Sequence, residues 1–346
     1  MPSVGKEYGN FDRGIRLDKS PLILLAALIL SSGGMPSSVL AQESPAQAAE
    51  RSVEAPLASR SLLLDGSLVE GLAVAVGERG HVLLSEDQGR SWRQVEVPSR
   101  ATLTGVHFHD GQLGWAVGHD ATILRTRDGG RTWERVYHDP EEESPLFDVW
   151  FADAEKGFAI GAYGLFLVTS DGGNSWQRQS VREYDDFHLH HMARSGTGRL
   201  YMAAEAGTIY RSDDDGRTWV SLPSPYVGSL FGALTLEDDA LLLFGLRGHM
   251  FRSEDAGENW EAIETGTVAL LNRGLRLRNG KLIVVGHEGA ILVSDDEGRS
   301  VTLREQPDRQ ALATAIETED GGLILIGEFG VTRIDDYGAA MEPEAR

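Results

Sequence analysis

The chain has 346 residues and carries 53 acidic against 32 basic side chains, a net charge of −21. A surface this acidic repels nucleic acid and anionic lipid headgroups, so neither is an expected partner. With no cysteine in the sequence, disulfides, thiolate chemistry and a lipid-modified N-terminal cysteine are all excluded.

In chain order, the first segment reads as an export signal. Lys6, Arg13, Arg16 and Lys19 precede Pro21, and Leu22 to Leu30 form an unbroken apolar run. Val39-Leu40-Ala41 then supplies small residues at the two positions a signal peptidase reads, predicting cleavage after Ala41 and a periplasmic mature protein. The apolar run is too short to cross a bilayer, whose core needs about 20 residues. The expected organisation is a signal peptide over 1–41, a short linker over 42–50, one repeat domain over 51–340 and a tail over 341–346.

The repeat domain is marked by Trp92, Trp133, Trp176, Trp219 and Trp260, each closing the same phrase, Ser/Thr-x-Asp-x-Gly-x-Ser/Thr/Asn-Trp. The phrase places Asp87 and Gly89 before Trp92, Asp128 and Gly130 before Trp133, and Asp171 and Gly173 before Trp176. Asp214 and Gly216 precede Trp219, Asp255 and Gly257 precede Trp260, and a sixth copy has Asp296 and Gly298 but ends in Val301. A period near 42 residues in a glycine-rich chain means small antiparallel sheets repeated about an axis. Thirty residues before each tryptophan position stands a leucine: Leu62, Leu103, Leu146, Leu189, Leu230, Leu271 and Leu312. Seven copies predict a seven-bladed β-propeller of four-stranded antiparallel blades, all β. Strand A follows the leucine, strand B ends at the first glycine of a Gly-x-x-Gly phrase, strand C runs into the Asp turn, and strand D follows the tryptophan. The Gly-x-x-Gly phrase is expected to supply positive φ to a tight B–C hairpin.

The seventh copy stops after Val331–Ile334. Arg51-Ser52-Val53-Glu54-Ala55-Pro56 echoes Arg93-Gln94-Val95-Glu96-Val97-Pro98 one period later, so residues 51–56 are expected to close the ring as the outer strand of blade seven, hiding its edge.

The Asp turns themselves are expected to be structural. Their carboxylates accept turn N–H groups, their glycines take the left-handed conformation, and their tryptophans pack between blades. A device used once per blade is not a single active site.

These phrases resemble the Asp boxes of BNR and sialidase-type propellers. Gly-Trp-Ala-Val-Gly at 114–118 with Ile-Leu-Arg-Thr-x-Asp-Gly-Gly-x-Thr-Trp at 123–133 is similar to the Ycf48 family of photosystem II assembly factors, as is the third copy at 157–176. That resemblance, over about residues 51–340, implies a non-enzymatic propeller that assembles or stabilises a membrane protein complex from the exported side, with no cofactor and no metal. The client could be photosystem-type or an envelope transporter, bound through its exposed loops by a monomer that does not itself enter the bilayer. The alternative implied by the same boxes is a sialidase-like glycoside hydrolase, which needs an arginine cluster, a nucleophilic tyrosine and carboxylates converging near the axis. Its Arg-Ile-Pro phrase is absent, and Arg273, Arg276 and Arg278 fall in one blade.

For a partner, the candidate contacts are Tyr184, His188, His190, His191 and Arg273, on D–A loops or strand A. His188 and His190 alternate on one strand face, as do His107 and His109. Each pair is a possible metal chelate, but neither has an assured third ligand. The expected contact face is the D–A loops and strand A starts, because loops vary where hairpins are uniform.

Overall fold

The computed structural model describes residues 51–335, all within the compact unit Glu43–Arg346. The export signal, cleavage site, linker and tail lie outside the described residues. Six four-stranded sheets and one three-stranded sheet follow one another in strict A-B-C-D order, and every strand pair within them is antiparallel, as in blade one. The fold is the expected seven-bladed β-propeller. Strand A spans Leu63–Val69, Leu103–Phe108, Leu146–Phe151, Leu189–Arg194, Leu230–Thr235, Leu271–Arg276 and Leu312–Glu317 in blades one to seven. Among the described residues, no helix is long and apolar enough to cross a membrane.

Burial grades outward across each blade. Strand B, as in Gly157–Gly161 or Leu241–Gly245, is buried at every position because neighbouring blades cover both its faces. Strand D is short and mostly exposed, down to Val220–Ser221 in blade four. The core is therefore seven separate clusters, one in each seam between blades. Each repeat tryptophan packs into the seam with the preceding blade: Trp133 joins Val74 and Leu84 of blade one, and Trp219 joins Phe158 and Phe166 of blade three. Val301 takes that place in blade six. Trp115 and Trp150 serve the seams as well, the first fully buried on Phe151, the second stacked on Phe158.

Three sequence expectations need correction. The repeat leucine of blade one is Leu63, not Leu62. Leu63 is paired with Gly77 and fully buried, whereas Leu62 is exposed, because blade one is one residue shorter between strand A and the tryptophan. Second, the first glycine of the Gly-x-x-Gly phrase is extended, with φ −165° at Gly161. It is needed for close approach, since a Cβ there would collide with the Pro145 carbonyl. The positive φ belongs to the second glycine and the residue before it, 68° at Gly164 and 52° at Tyr163.

Third, residues 51–56 form no strand, and blade seven has three strands among the described residues. Ser59 does stand against Gly330 as Ser99 stands against Gly80, so the N-terminal segment supplies the connection from blade seven into blade one. Upstream of it the chain turns onto blade one instead. There Gln94 clamps it, donating to the Val53 carbonyl and accepting from the Ala55 N–H, while the Ser52 N–H donates to Val97. Side chains of blade one thus satisfy the backbone groups that a blade-seven strand was expected to pair.

Candidate partner-binding site

Up-and-down strands put the D–A connections and B–C turns on one end of the propeller, and the A–B and Asp-box turns on the other. The first end opens into an axial funnel of about 620 Å³. One column of its wall has a common origin. In every blade the register slips by one residue just after the repeat leucine, as between Leu146 and Asp148 or Leu189 and His191. The same slip occurs in the other five blades. Such a bulge leaves one residue unpaired and re-aims its side chain. The unpaired residues are Leu64, Thr104, Phe147, His190, Phe231, Asn272 and Ala313, and all seven line the funnel.

Polar members of this column stitch each blade to the next. The Thr104 hydroxyl donates to the Leu146 carbonyl at 2.6 Å, and Asn272 donates to the Leu312 carbonyl at 2.7 Å. His190 Nδ1 lies 2.8 Å from the Leu230 carbonyl, which can only accept, so its proton sits on Nδ1. The apolar members Phe147 and Phe231 flank that imidazole, with ring centroids 5.9 and 4.4 Å away. Together they form an aromatic wall across blades three to five. His188 stands beside it, edge-on to Tyr163 at 4.7 Å, with its Nδ1 accepting the Tyr163 N–H.

The next column along strand A builds the channel floor. Asp65 accepts the Val106 N–H of blade two, Asp148 the Met192 N–H of blade four, and His191 Nδ1 the Ala233 N–H of blade five. His191 therefore carries its proton on Nε2, 3.8 Å from Asp148. Arg273 enters from blade six, 3.6 Å from Asp148. Burial pushes the Asp148 carboxyl up to about 6, with Arg273 opposing and Asp65 adding. Asp65 is raised for the same first reason. Burial, then Arg273, holds His191 well below the ordinary imidazole value.

Of the sequence candidates, His188, His190, His191 and Arg273 converge on this axis. Tyr184 does not: it is 92% exposed on a D–A connection. His107 faces the channel and burial lowers it to about 4, while His109 is exposed on the other end. Among the described residues, no group of three or more His, Asp or Glu side chains is arranged to hold a metal ion. The sialidase constellation does not assemble either. No tyrosine lines the funnel or the channel, and Arg276 pairs with Glu297 while Arg278 turns to Glu317. Sequence reasoning missed Phe147, Phe231, Glu205 and Glu328 in the funnel and the Asp65–Asp148 pair beneath it.

The Asp boxes occupy the opposite end and form one recurring unit. Asp87 accepts the Ser85 hydroxyl, the Ser91 N–H and the Ser91 hydroxyl, and the Gly89 N–H donates to Ser85 Oγ. Asp128, Asp171, Asp214, Asp255 and Asp296 repeat this arrangement. Gly130, with φ 86°, shows the left-handed turn the unit requires. The Ser91 hydroxyl and N–H hold the Asp87 carboxyl down at about 2, as Ser175 does for Asp171. Ion pairs cover the rest of this end, including Arg90 with Asp320 and Arg211 with Glu258. Exposed large apolar side chains are distributed the other way. Leu62, Tyr163, Tyr184, Val227, Val268 and Phe329 all stand on D–A connections or B–C turns, against Val220 alone among the described residues at the Asp-box end, where strand D of blade four begins.

A ring of seven antiparallel blades with Asp boxes on one end and an open axial funnel on the other defines an Asp-box β-propeller. The model of the family described as photosynthesis system II assembly factor YCF48 matches residues 84–219 and 138–306, well over half of the chain. The chain belongs to the YCF48 family. No curated protein sequence matches it significantly. Among solved structures it is similar to YCF48 bound to D1 peptide, at 19% identity and TM-score 0.65, over 82% of this chain and 93% of that one. It is also similar to YCF48 from Cyanidioschyzon merolae, at 16% identity and TM-score 0.64, over 82% and 97%. The virginiamycin B lyase of Staphylococcus aureus aligns at 11% identity and TM-score 0.68, over 79% and 94%. At such identities these likenesses show the fold alone.

Proposed function

We propose that this protein is an exported, non-enzymatic scaffold of the assembly-factor type, binding an exposed loop of a membrane protein complex in its axial funnel. The observation that carries this is the asymmetry of the two ends. One is tiled with ion pairs and closed turns, while the other gathers most of the exposed apolar side chains around an open, mostly apolar cavity. Apolar patches with a polar border mark interaction sites, and a concave site with few polar groups is where a ligand finds buried area. Family membership supports the assembly role, a relative held with a peptide supports a protein segment as ligand, and the N-terminal signal reading supports export. The client is a photosystem-type complex or an envelope transporter.

The test is crosslinking capture from the native membrane fraction with the wild-type chain, Ala313→Trp, which fills the funnel, and Arg217→Ala on the opposite end. Loss of one client set with the first variant alone is expected. Equal capture by Ala313→Trp would refute the funnel as the site.

A further inference from the structure

We infer that the funnel reads a basic side chain, arginine or lysine, on the bound segment; this rests on the reading above that the funnel end binds a protein segment. Phe147, His190 and Phe231 present a continuous ring surface, and aromatic faces attract cations that come within about 6 Å. Two carboxylates stand at the same mouth. Glu328 is exposed, and among the described residues no cation lies within ion-pair distance of it. The Glu205 carboxylate accepts the His188 N–H, with the His188 imidazole 3.7 Å away, and among the described residues no lysine or arginine pairs with it.

Among the described residues, the one lysine or arginine lining the funnel is Arg273, and it is already engaged on the floor between Asp148 and Asp65. The negative charge at the rim is thus left unbalanced. The connections flanking the aromatic wall add Asp139, Glu141, Glu143 and Asp186, and the chain as a whole is strongly acidic, which steers a cationic segment toward this end. An arginine laid across the wall with its guanidinium at Glu205, beside His188 and His190 on blade four, would satisfy the rings and that carboxylate together, with Glu328 of blade seven adding to the negative potential of the mouth.

The experiment is calorimetric titration of the full mature chain with three end-blocked pentapeptides, Gly-Leu-X-Leu-Gly, where X is arginine, citrulline or glutamate. Citrulline keeps the shape of arginine and removes its charge. The arginine peptide is expected to bind about tenfold tighter than the citrulline peptide, and added salt should narrow the gap. Glu205→Gln with Glu328→Gln should bring the arginine peptide down to the affinity of the citrulline peptide, and because glutamine still accepts the His188 N–H the urea midpoint should move little.

Equal or tighter binding of citrulline or glutamate overturns the inference, as does absence of binding by the arginine peptide. A glutamate preference lost in Arg273→Met would leave the funnel as the site and reverse its charge rule. Undiminished client capture by Ala313→Trp would instead remove the underlying reading.

Discussion

The Asp148 carboxyl gives the sharpest test of the channel floor. Its folded value is about 6 against 3.8 for an unperturbed aspartate, with burial as the cause. The folded chain therefore binds an extra proton between these two values. The stability that proton brings is complete below pH ~4 and is lost as pH rises through ~6. A shift of 6 minus 3.8, at ~1.4 kcal/mol per unit, makes the loss ~3 kcal/mol. The raw pH profile will not show this, because His107 has the opposite sign. Burial lowers it from 6.5 to about 4, so the stability it withholds returns as pH rises through the same window. The difference between wild type and Asp148→Asn cancels the His107 contribution and reports the Asp148 carboxyl together with its coupling to Asp65 and His191, since asparagine can still accept the Met192 N–H. In urea unfolding followed by tryptophan fluorescence, the variant should gain ~3 kcal/mol on the wild type between pH ~4 and ~7. Arg273→Met in the wild-type background should steepen the slope by removing the opposing cation. A wild-type-minus-variant difference that stays flat over this range would refute the buried, partly compensated carboxyl.

Further consequences follow from the seams and turns. Trp133→Ala, which empties the seam between blades one and two, should cost ~3–5 kcal/mol in urea unfolding, and the half-buried Trp92 should cost less; equal costs would deny that seam burial is the cause. Gly161→Ala sets a Cβ against the Pro145 carbonyl and should cost ~1–3 kcal/mol, whereas Gly196→Ala, with nothing within 4 Å, should change the unfolding midpoint little. Gln94→Ala removes both clamp bonds on the N-terminal segment, at ~1 kcal/mol each. It should expose the chain before residue 57 to limited proteolysis while blades two to six melt unchanged.

What was legible in the sequence is what repeats for packing reasons. The Asp boxes, the tryptophans and the uninterrupted apolar B strands recur because each blade faces the same two neighbours, so the blade number and strand order could be counted directly. The ring closure was misjudged because the echo between residues 51–56 and 93–98 reports similar composition, not pairing; Gln94 decided the outcome by offering side-chain partners to the segment's backbone. The funnel was hidden by the bulge. Strict alternation assigns faces two residues at a time, and one unpaired residue after the leucine breaks that count in all seven blades. His188 and His190 were rightly expected on one side, but the bulge, not a regular strand, aims His190 into the cavity. A signal was available: directly after a leucine that is the same in every blade, the sequence reads Leu64, Thr104, Phe147, His190, Phe231, Asn272 and Ala313, seven unrelated side chains where the repeat otherwise begins uniformly.

That irregular column also explains how recognition can vary without endangering the fold. The leucine before it is buried in every blade. The residue after it supplies the floor, where Asp65, Asp148 and His191 accept N–H groups of the following blade and can be replaced only by another acceptor without leaving buried donors unpaired. Between these two constrained positions, the bulge residue has no ladder partner and opens onto the cavity. Phe147 and Phe231 hold no hydrogen bond through their side chains, so replacing both with leucine should remove the aromatic wall while the seams stay filled. Binding of the arginine peptide should then weaken, with the urea midpoint nearly unmoved. Asp148→Asn should do the reverse, moving stability and its pH dependence while leaving peptide affinity in place. If the two pairs of readouts instead change together, recognition and closure are not carried by separate columns of strand A.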